Sequence, residues 1–163
     1  HVFSLLNPFK LANTKRYLLE ALGQNTQKVK KAATNKVKPG ESMPMSILLA
    51  EDNVVNQKVA TRLFSKIGYK IEVANNGLEA LKSLEQNEYD LVFMDIQMPE
   101  MDGLEAFKRL EDIKETQSIP VIALTAYAMD ADIKKAAEIG FKDYISKPID
   151  VYKFLNTMDK LLK

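Results

Sequence analysis

The 163-residue chain contains no cysteine. Disulfides, thiolate catalysis and cysteine-based zinc sites are excluded together. The absence fits a reducing compartment. Histidine is nearly missing as well: His1 is the only one. No apolar run approaches the ~20 residues that a membrane helix needs, so no membrane contact is expected of this part of the protein. The start, His1-Val2-Phe3, has neither an initiator Met nor a charged-then-apolar leader. The chain therefore reads as a piece of something longer.

What is present is a globular composition, with 46% hydrophobic residues. Charge is unevenly spread. Residues 1–44 carry eight Lys/Arg and two acids, a net of +6, and the remainder carries 15 Lys/Arg and 20 acids, a net of −5. An acidic globular part argues against nucleic-acid binding by that part. Residues 25–44 lose apolar periodicity, alternate lysines with small polar residues and end near Pro39-Gly40, which reads as a basic linker. The globular part is expected over residues 45–163.

Its centre is the stretch from Asp90 to Gly103. The apolar run Leu91–Met94 stops at a carboxylate, Asp95. A short run without polar alternates reads as a strand buried on both faces. Pro99 and Asp102-Gly103 then forbid its continuation and mark a loop.

Around this centre strands and helices alternate. Ile47–Ala50 is a short apolar strand. Val55, Val59, Leu63 and Ile67 recur every four residues and predict a helix, with Asn53 as its cap and Gly68 as its stop. Lys70 to Ala74 alternates and reads as an edge strand. Asn76 and Glu79 open the next helix, with Leu81 and Leu84 on one face. Asp102 and Glu105 open another, with Leu104, Phe107, Leu110 and Ile113 as its stripe. Val121–Leu124 is a second buried strand, and a helix is expected from Asp130 to Ile139. Tyr144-Ile145 is a brief last strand. Asp150 caps a final helix bearing Val151, Phe154, Leu155, Met158, Leu161 and Leu162. Such alternation predicts an α/β fold: a doubly wound, flavodoxin-like sheet of five parallel strands in the order 2-1-3-4-5, with helices on both faces.

In open parallel sheets ligands bind at the carboxyl ends of the strands. The first strand brings Glu51 and Asp52 there, the third Asp95, the fourth Thr125 and the fifth Lys147. Three carboxylates this close repel unless a cation lies among them. All are hard oxygen donors, so Mg²⁺ is the natural ion. A metal, a lysine and a hydroxyl around one carboxylate suit the holding of a phosphoryl group. A carboxylate can also accept that group as an acyl phosphate.

These residues sit in recognisable motifs. Glu51-Asp52-Asn53, Met94-Asp95 with Met98-Pro99 and Met101-Asp102-Gly103, Ala123-Leu124-Thr125-Ala126 and Ser146-Lys147-Pro148 together resemble the receiver domains of two-component signalling. The resemblance covers Ser46 to Lys163. It implies that Asp95 takes a phosphoryl group from a phosphohistidine. It implies that Glu51, Asp52, Asp95 and the backbone carbonyl of Gln97 hold Mg²⁺, Glu51 standing where many members have Asp and acting through a metal-bound water. Thr125, Lys147 and the backbone N–H of Ala126 would contact the phosphoryl oxygens. Tyr144 matches a switch aromatic that swings inward as Thr125 moves; core packing is the alternative reading of Tyr144. Gln97 and Tyr127 match positions that tune dephosphorylation. Lys147-Pro148 matches a peptide that is usually cis.

The implied partner is a histidine kinase dimerisation and phosphotransfer domain, or a histidine phosphotransfer protein. Docking is expected at Val54, Asn56, Gln57, Pro148 and Ile149. Residues 1–24 echo the closing strand and helix, with Leu5-Leu6-Asn7-Pro8-Phe9 set against Ile145–Ile149. They read as the tail of an upstream degenerate receiver, with an amphipathic linker helix as the alternative. Tandem receivers, the Glu-Asp-Asn start and Asn56-Gln57 resemble hybrid sensor histidine kinases. The expected place is thus the cytoplasm, within a parent that can be membrane-anchored. The alternatives are a free-standing response regulator and a receiver-fold docking module that is not phosphorylated. An aspartate-nucleophile phosphatase would want a second carboxylate where Gln97 stands. A flavin-binding protein of the same topology would want a phosphate-cradling loop where Glu51-Asp52 stands.

Overall fold

The structure, a computed structural model, describes residues 38–113, 116, 118–126 and 130–161. Residues 1–24, the linker up to Val37, Tyr127 and Leu162 lie outside the described residues, so the readings made for them receive no structural account.

Five parallel strands form one sheet in the order β2-β1-β3-β4-β5. They are β1 (Ile47–Ala50), β2 (Ile71–Ala74), β3 (Leu91–Asp95), β4 (Val121–Thr125) and β5 (Asp143–Ser146). The helices between and after them are α1 (Val54–Lys66), α2 (Gly77–Gln86), α3 (Gly103–Glu111), α4 (Asp130–Ile139) and α5 (Val151–Leu161). The flavodoxin-like topology expected from the alternation is therefore present. β1, β3 and β4 are buried throughout, whereas β2 and β5 are partly open, as edge strands between one neighbour and solvent must be.

The caps lie where the sequence puts them. Asn53 accepts from Val55 N–H and Asn56 N–H, Asn76 from Glu79 N–H, Asp102 from Glu105 N–H and Asp150 from Lys153 N–H. Each satisfies a donor that the first turn of a helix leaves unpaired.

Two cores flank the sheet. Ile47, Leu49, Leu91, Phe93, Ile122, Leu124 and Ile145 face α1 and α5; Leu48, Ala50, Val92, Met94, Val121 and Ala123 face α2, α3 and α4. Phe64 of α1, Phe93 of β3 and Phe154 of α5 lock the first core, with ring centroids 4.8 to 6.0 Å apart. In the second, Phe107 stacks on Phe141 at 4.3 Å.

The four-residue recurrence Val55, Val59, Leu63 and Ile67 coincides with the buried face only at its end. Val55 is 67% exposed and Val59 also faces outward, whereas Leu63 packs against the first core and Ile67 is buried with Ala60 and Phe64. A repeat of four drifts by roughly 40° per step on a 3.6-residue helix, so such a row winds from the solvent side onto the core.

The supposed linker also ends earlier than its composition indicates. Pro39–Ser42 forms a single helical turn seated on the loop between α1 and β2. Gly40 N–H donates to the Ile67 carbonyl at 2.9 Å, and Met43 and Met45 pack against the first core. A Cβ on Gly40 would lie 2.3 Å from the Gly68 carbonyl oxygen, so only glycine permits this approach.

Candidate functional site

Strand alternation explains why the charged residues converge. Successive side chains on a strand point to opposite faces. Glu51 therefore continues the face of Ile47 and Leu49, Asp95 that of Leu91 and Phe93, and Lys147 that of Ile145. The ladder runs on far enough to hold them: Glu51 N–H donates to the Ala74 carbonyl at 3.0 Å and Lys147 N–H to the Thr125 carbonyl at 2.8 Å. The first core thus ends in a charged lid at the carboxyl rim of the sheet.

Glu51 and Asp95 are both only 2% exposed, and Asp52 stands in solvent beside them. One carboxylate oxygen from each of the three lies within 4.8 Å of the others. The Lys147 ammonium donates to Asp95 Oδ2 and sits 2.9 Å from Glu51 Oε2. Asp95 Oδ1 accepts the Gln97 N–H at 3.1 Å. Glu51 Oε1 accepts Asn53 N–H at 3.2 Å and Asn56 Nδ2 at 3.1 Å.

The electrostatics follow from one cation serving two buried anions. Burial raises the Asp95 carboxyl above its ordinary pKa; Lys147 and the Gln97 N–H pull it down without cancelling that rise, and the Glu51 charge adds to it. Burial alone would lower the Lys147 ammonium, but the hydrogen bonds and charges of Asp95 and Glu51 outweigh it and hold the lysine above its usual value. Lys147 therefore keeps its positive charge between the Asp95 and Glu51 carboxylates.

Two further features shape the rim. The Lys147–Pro148 peptide is cis, and Lys153 Nζ donates to the Ser146 carbonyl at 2.9 Å and the Pro148 carbonyl at 3.3 Å, bracing the loop that carries Lys147. Gly103 N–H donates to the Ile96 carbonyl at 3.0 Å, and a Cβ on Gly103 would lie 2.1 Å from the Asp95 carbonyl oxygen. The β3–α3 loop can fold back over Asp95 only with glycine there.

The structure sorts the remaining expected residues. Thr125 is buried at the end of β4, with Ala126 exposed beyond it. Tyr144, opposite Ala123 in the β4–β5 register, is 41% exposed, so the core-packing alternative does not hold for it. Gln97 is exposed, and its N–H faces Asp95. Val54, 55% exposed, and Pro148 lie on the outer surface beside the rim. Ile149 does not: it is buried in the first core against α5, because the loop turns inward after Pro148. Asn56 and Gln57 also turn inward. Gln57 Nε2 donates to the Glu51 carbonyl at 2.6 Å and to Asn75 Oδ1 at 2.9 Å. The inward roles of Asn56, Gln57 and Lys153 were missed in the sequence. The signal available was an amide five and six residues after Glu51, one turn past the Asn53 cap.

Comparison with known proteins gives the class. Residues 47–159 match the family described as the response regulator receiver domain. The polar-differentiation response regulator DivK of Brucella anthropi is 44% identical over 120 residues, covering 74% of this chain and 98% of that protein. The hybrid signal transduction histidine kinase K of Dictyostelium discoideum is 36% identical over 153 residues, covering 90% of this chain but 12% of that protein. Among solved structures, the receiver domain of the sensor histidine kinase PA1611 from Pseudomonas aeruginosa, described with magnesium coordinated in its active-site cleft, is 32% identical with a TM-score of 0.62, covering 72% of this chain and 93% of that one. The receiver domain of Ssk1 from Saccharomyces cerevisiae, solved with the histidine phosphotransfer protein Ypd1, is 30% identical with a TM-score of 0.63 and covers 68% and 83%.

The chain belongs to the response regulator receiver domain family of two-component signalling.

Proposed function

We propose that this domain accepts a phosphoryl group from a phosphohistidine onto Asp95, with Mg²⁺, and passes the event on as a change of conformation in a phosphorelay. The observation that carries the reading is the buried Asp95 carboxylate, held by Lys147 within reach of two further carboxylates.

The donor set suits the ion. Glu51, Asp52, Asp95 and the Gln97 carbonyl are all hard oxygen donors, which favour Mg²⁺ over softer metals. When bound, Mg²⁺ would supply positive charge to the phosphoryl oxygens. The protein residues do the rest. The Asp95 carboxylate forms the new P–O bond while the P–N bond of the donor breaks, and the imidazole leaves with its proton. The Lys147 ammonium, already on Asp95, neutralises charge on the transferring group. The Thr125 hydroxyl and Ala126 N–H donate to the product oxygens. The exposed Tyr144 ring then moves inward behind Thr125, shifting the population of a two-state surface. Gln97 and Tyr127, which match positions that tune dephosphorylation, would set the lifetime of the acyl phosphate.

The donor is a histidine kinase phosphotransfer domain or a histidine phosphotransfer protein, as in the Ssk1 complex with Ypd1. It docks over Val54 and Pro148, the exposed part of the surface beside the rim. The match to hybrid kinase K is longer than the receiver, so the likeness reaches upstream of β1. This supports a hybrid histidine kinase as the parent; in that parent residues 1–24 would be the tail of a preceding receiver and the module would work in the cytoplasm. The full-length match to DivK supports a free-standing regulator as the second reading.

Intact mass after incubation with acetyl phosphate tests the core of the proposal. One phosphoryl group is expected on the parent with Mg²⁺, and none on Asp95→Asn or without the ion. A parent that stays unmodified while a stable phosphoryl mimic fails to protect Tyr144 and Thr125 would leave a docking module instead.

A further inference from the structure

Glu51 is the long arm of the site. It has one more rotatable bond than an aspartate, and an unrestrained glutamate would spread its carboxylate over several rotamers. Yet its charged end is buried at the rim. The hydrogen bonds show what restrains it. Oε1 takes two donors, Asn53 N–H and Asn56 Nδ2, and Oε2 takes one, the Lys147 ammonium. A carboxylate offers about four acceptor directions. Among the described residues, three are filled, and the open one is on Oε2, the oxygen shared with Lys147. Lys147 in turn touches Asp95. The acceptor capacity left to this carboxylate is thus on the oxygen that meets Lys147, not on the one held by Asn53 and Asn56.

Asn56 supplies one of these donors from its side chain. It is half-buried on the first turn of α1, and it reaches back five residues to Glu51. Its neighbour Gln57 grips the Glu51 main chain, and Gln57 is tied through Asn75 to Glu79 at the start of α2. Arm and backbone of the same residue are therefore both held from one helical turn.

We propose that Asn56 is a positioning residue: it locks the Glu51 carboxylate with its open acceptor toward the Asp95 site, where it serves the divalent cation, rather than meeting the phosphodonor. This rests on the metal-dependent receiver reading given above. Residues that orient ligands from behind commonly cost about 10- to 100-fold in metal affinity when removed.

The test is Mn²⁺ binding to the unphosphorylated full chain, read by electron paramagnetic resonance, for the parent, Asn56→Ala, Glu51→Ala and the double variant. Asn56→Ala is expected to weaken Mn²⁺ about tenfold, as a hydrogen bond behind a ligand does. In the Glu51→Ala background, loss of Asn56 is expected to change nothing further. Thermal unfolding without metal separates this from a general loss of structure, and Asn56→Ser replaces the alanine variant should that fail to fold. Equal Mn²⁺ affinity in parent and Asn56→Ala overturns the proposal, as does an equal loss in both Glu51 backgrounds. A parent that binds no Mn²⁺ overturns the metal reading together with it. Slower transfer from a protein donor alone, with Mn²⁺ affinity and acetyl-phosphate labelling unchanged, would return Asn56 to the docking surface.

Discussion

Asp95 is held in a state that costs the unmodified domain stability. Its carboxyl is raised above the ordinary value, chiefly by burial, despite the lysine beside it. For an acid with a raised folded pKa, the associated stability is complete below the unfolded pKa, about 3.9 for Asp, and is lost as pH rises through the folded one. At neutral pH in metal-free buffer the charge is therefore a burden. Asp95→Asn is expected to raise the thermal midpoint at pH 7 without Mg²⁺, and the gain is expected to shrink as the buffer is taken toward pH ~4. Melting curves across that range with a chelator present check both the sign and the window. The cause was partly legible beforehand, since a carboxylate ending a buried apolar run must be desolvated. The single cation shared between Asp95 and Glu51 was not, because it depends on the lysine reaching across from β5.

The elements give that charge its setting. The β3–α3 loop and α1 do so in different ways. Gly103 lets the chain double back over Asp95, and a Cβ there would strike the Asp95 carbonyl. Gly103→Ala is expected to cost about 1–3 kcal/mol by overpacking. It should also slow labelling by acetyl phosphate roughly 100-fold if the strand end moves by about 1 Å. Denaturant unfolding and labelling rates measure the two effects separately. On α1 the inward row is Ala60, Phe64 and Ile67, and the outward row leaves Val54, Val55 and Val59 bare. Val54→Glu should change stability by no more than about 0.5 kcal/mol. It should slow transfer from a phosphohistidine protein roughly 3- to 10-fold while acetyl-phosphate labelling is unchanged. Equal slowing of both would count against this docking surface. The helix itself was legible from its cap and spacing. Its buried face was not, since valines at four-residue steps resemble a core stripe until the sheet shows which side is covered.

At the scale of the whole domain, the described residues just ahead of β1, the Pro39–Ser42 turn with Met43 and Met45, are packed onto the receiver. Gly40 meets Gly68 backbone to backbone, and Gly68 adopts a φ of 90° that other residues rarely take. The turn is seated on the α1–β2 loop, at the opposite end of α1 from the charged rim. Gly40→Val is expected to lift it off. The loss should be about 1–3 kcal/mol, with amide exchange at residue 40 rising toward the solvent rate and Asp95 labelling little changed. Unaltered exchange protection would mean that the contact contributes nothing.

The line between chain and fold can be drawn from these cases. Strand and helix types, their caps, the strand order and the meeting of Glu51, Asp52, Asp95 and Lys147 at one rim were readable from periodicity and motif. Each depends on neighbours a few residues apart, or on the rule that parallel strands end at one rim. The inward turn of Asn56 and Gln57, the burial of Ile149, the brace from Lys153 and the seating of Gly40 on Gly68 were not. Ile149 and Gly40 need partners brought close only by the tertiary fold, and the partners of Asn56, Gln57 and Lys153, though only five to seven residues away, meet them only once strand end, loop and helical turn are set in space. In one dimension an amide on a first helical turn or an isoleucine after a proline looks the same whether it faces solvent or a buried carboxylate.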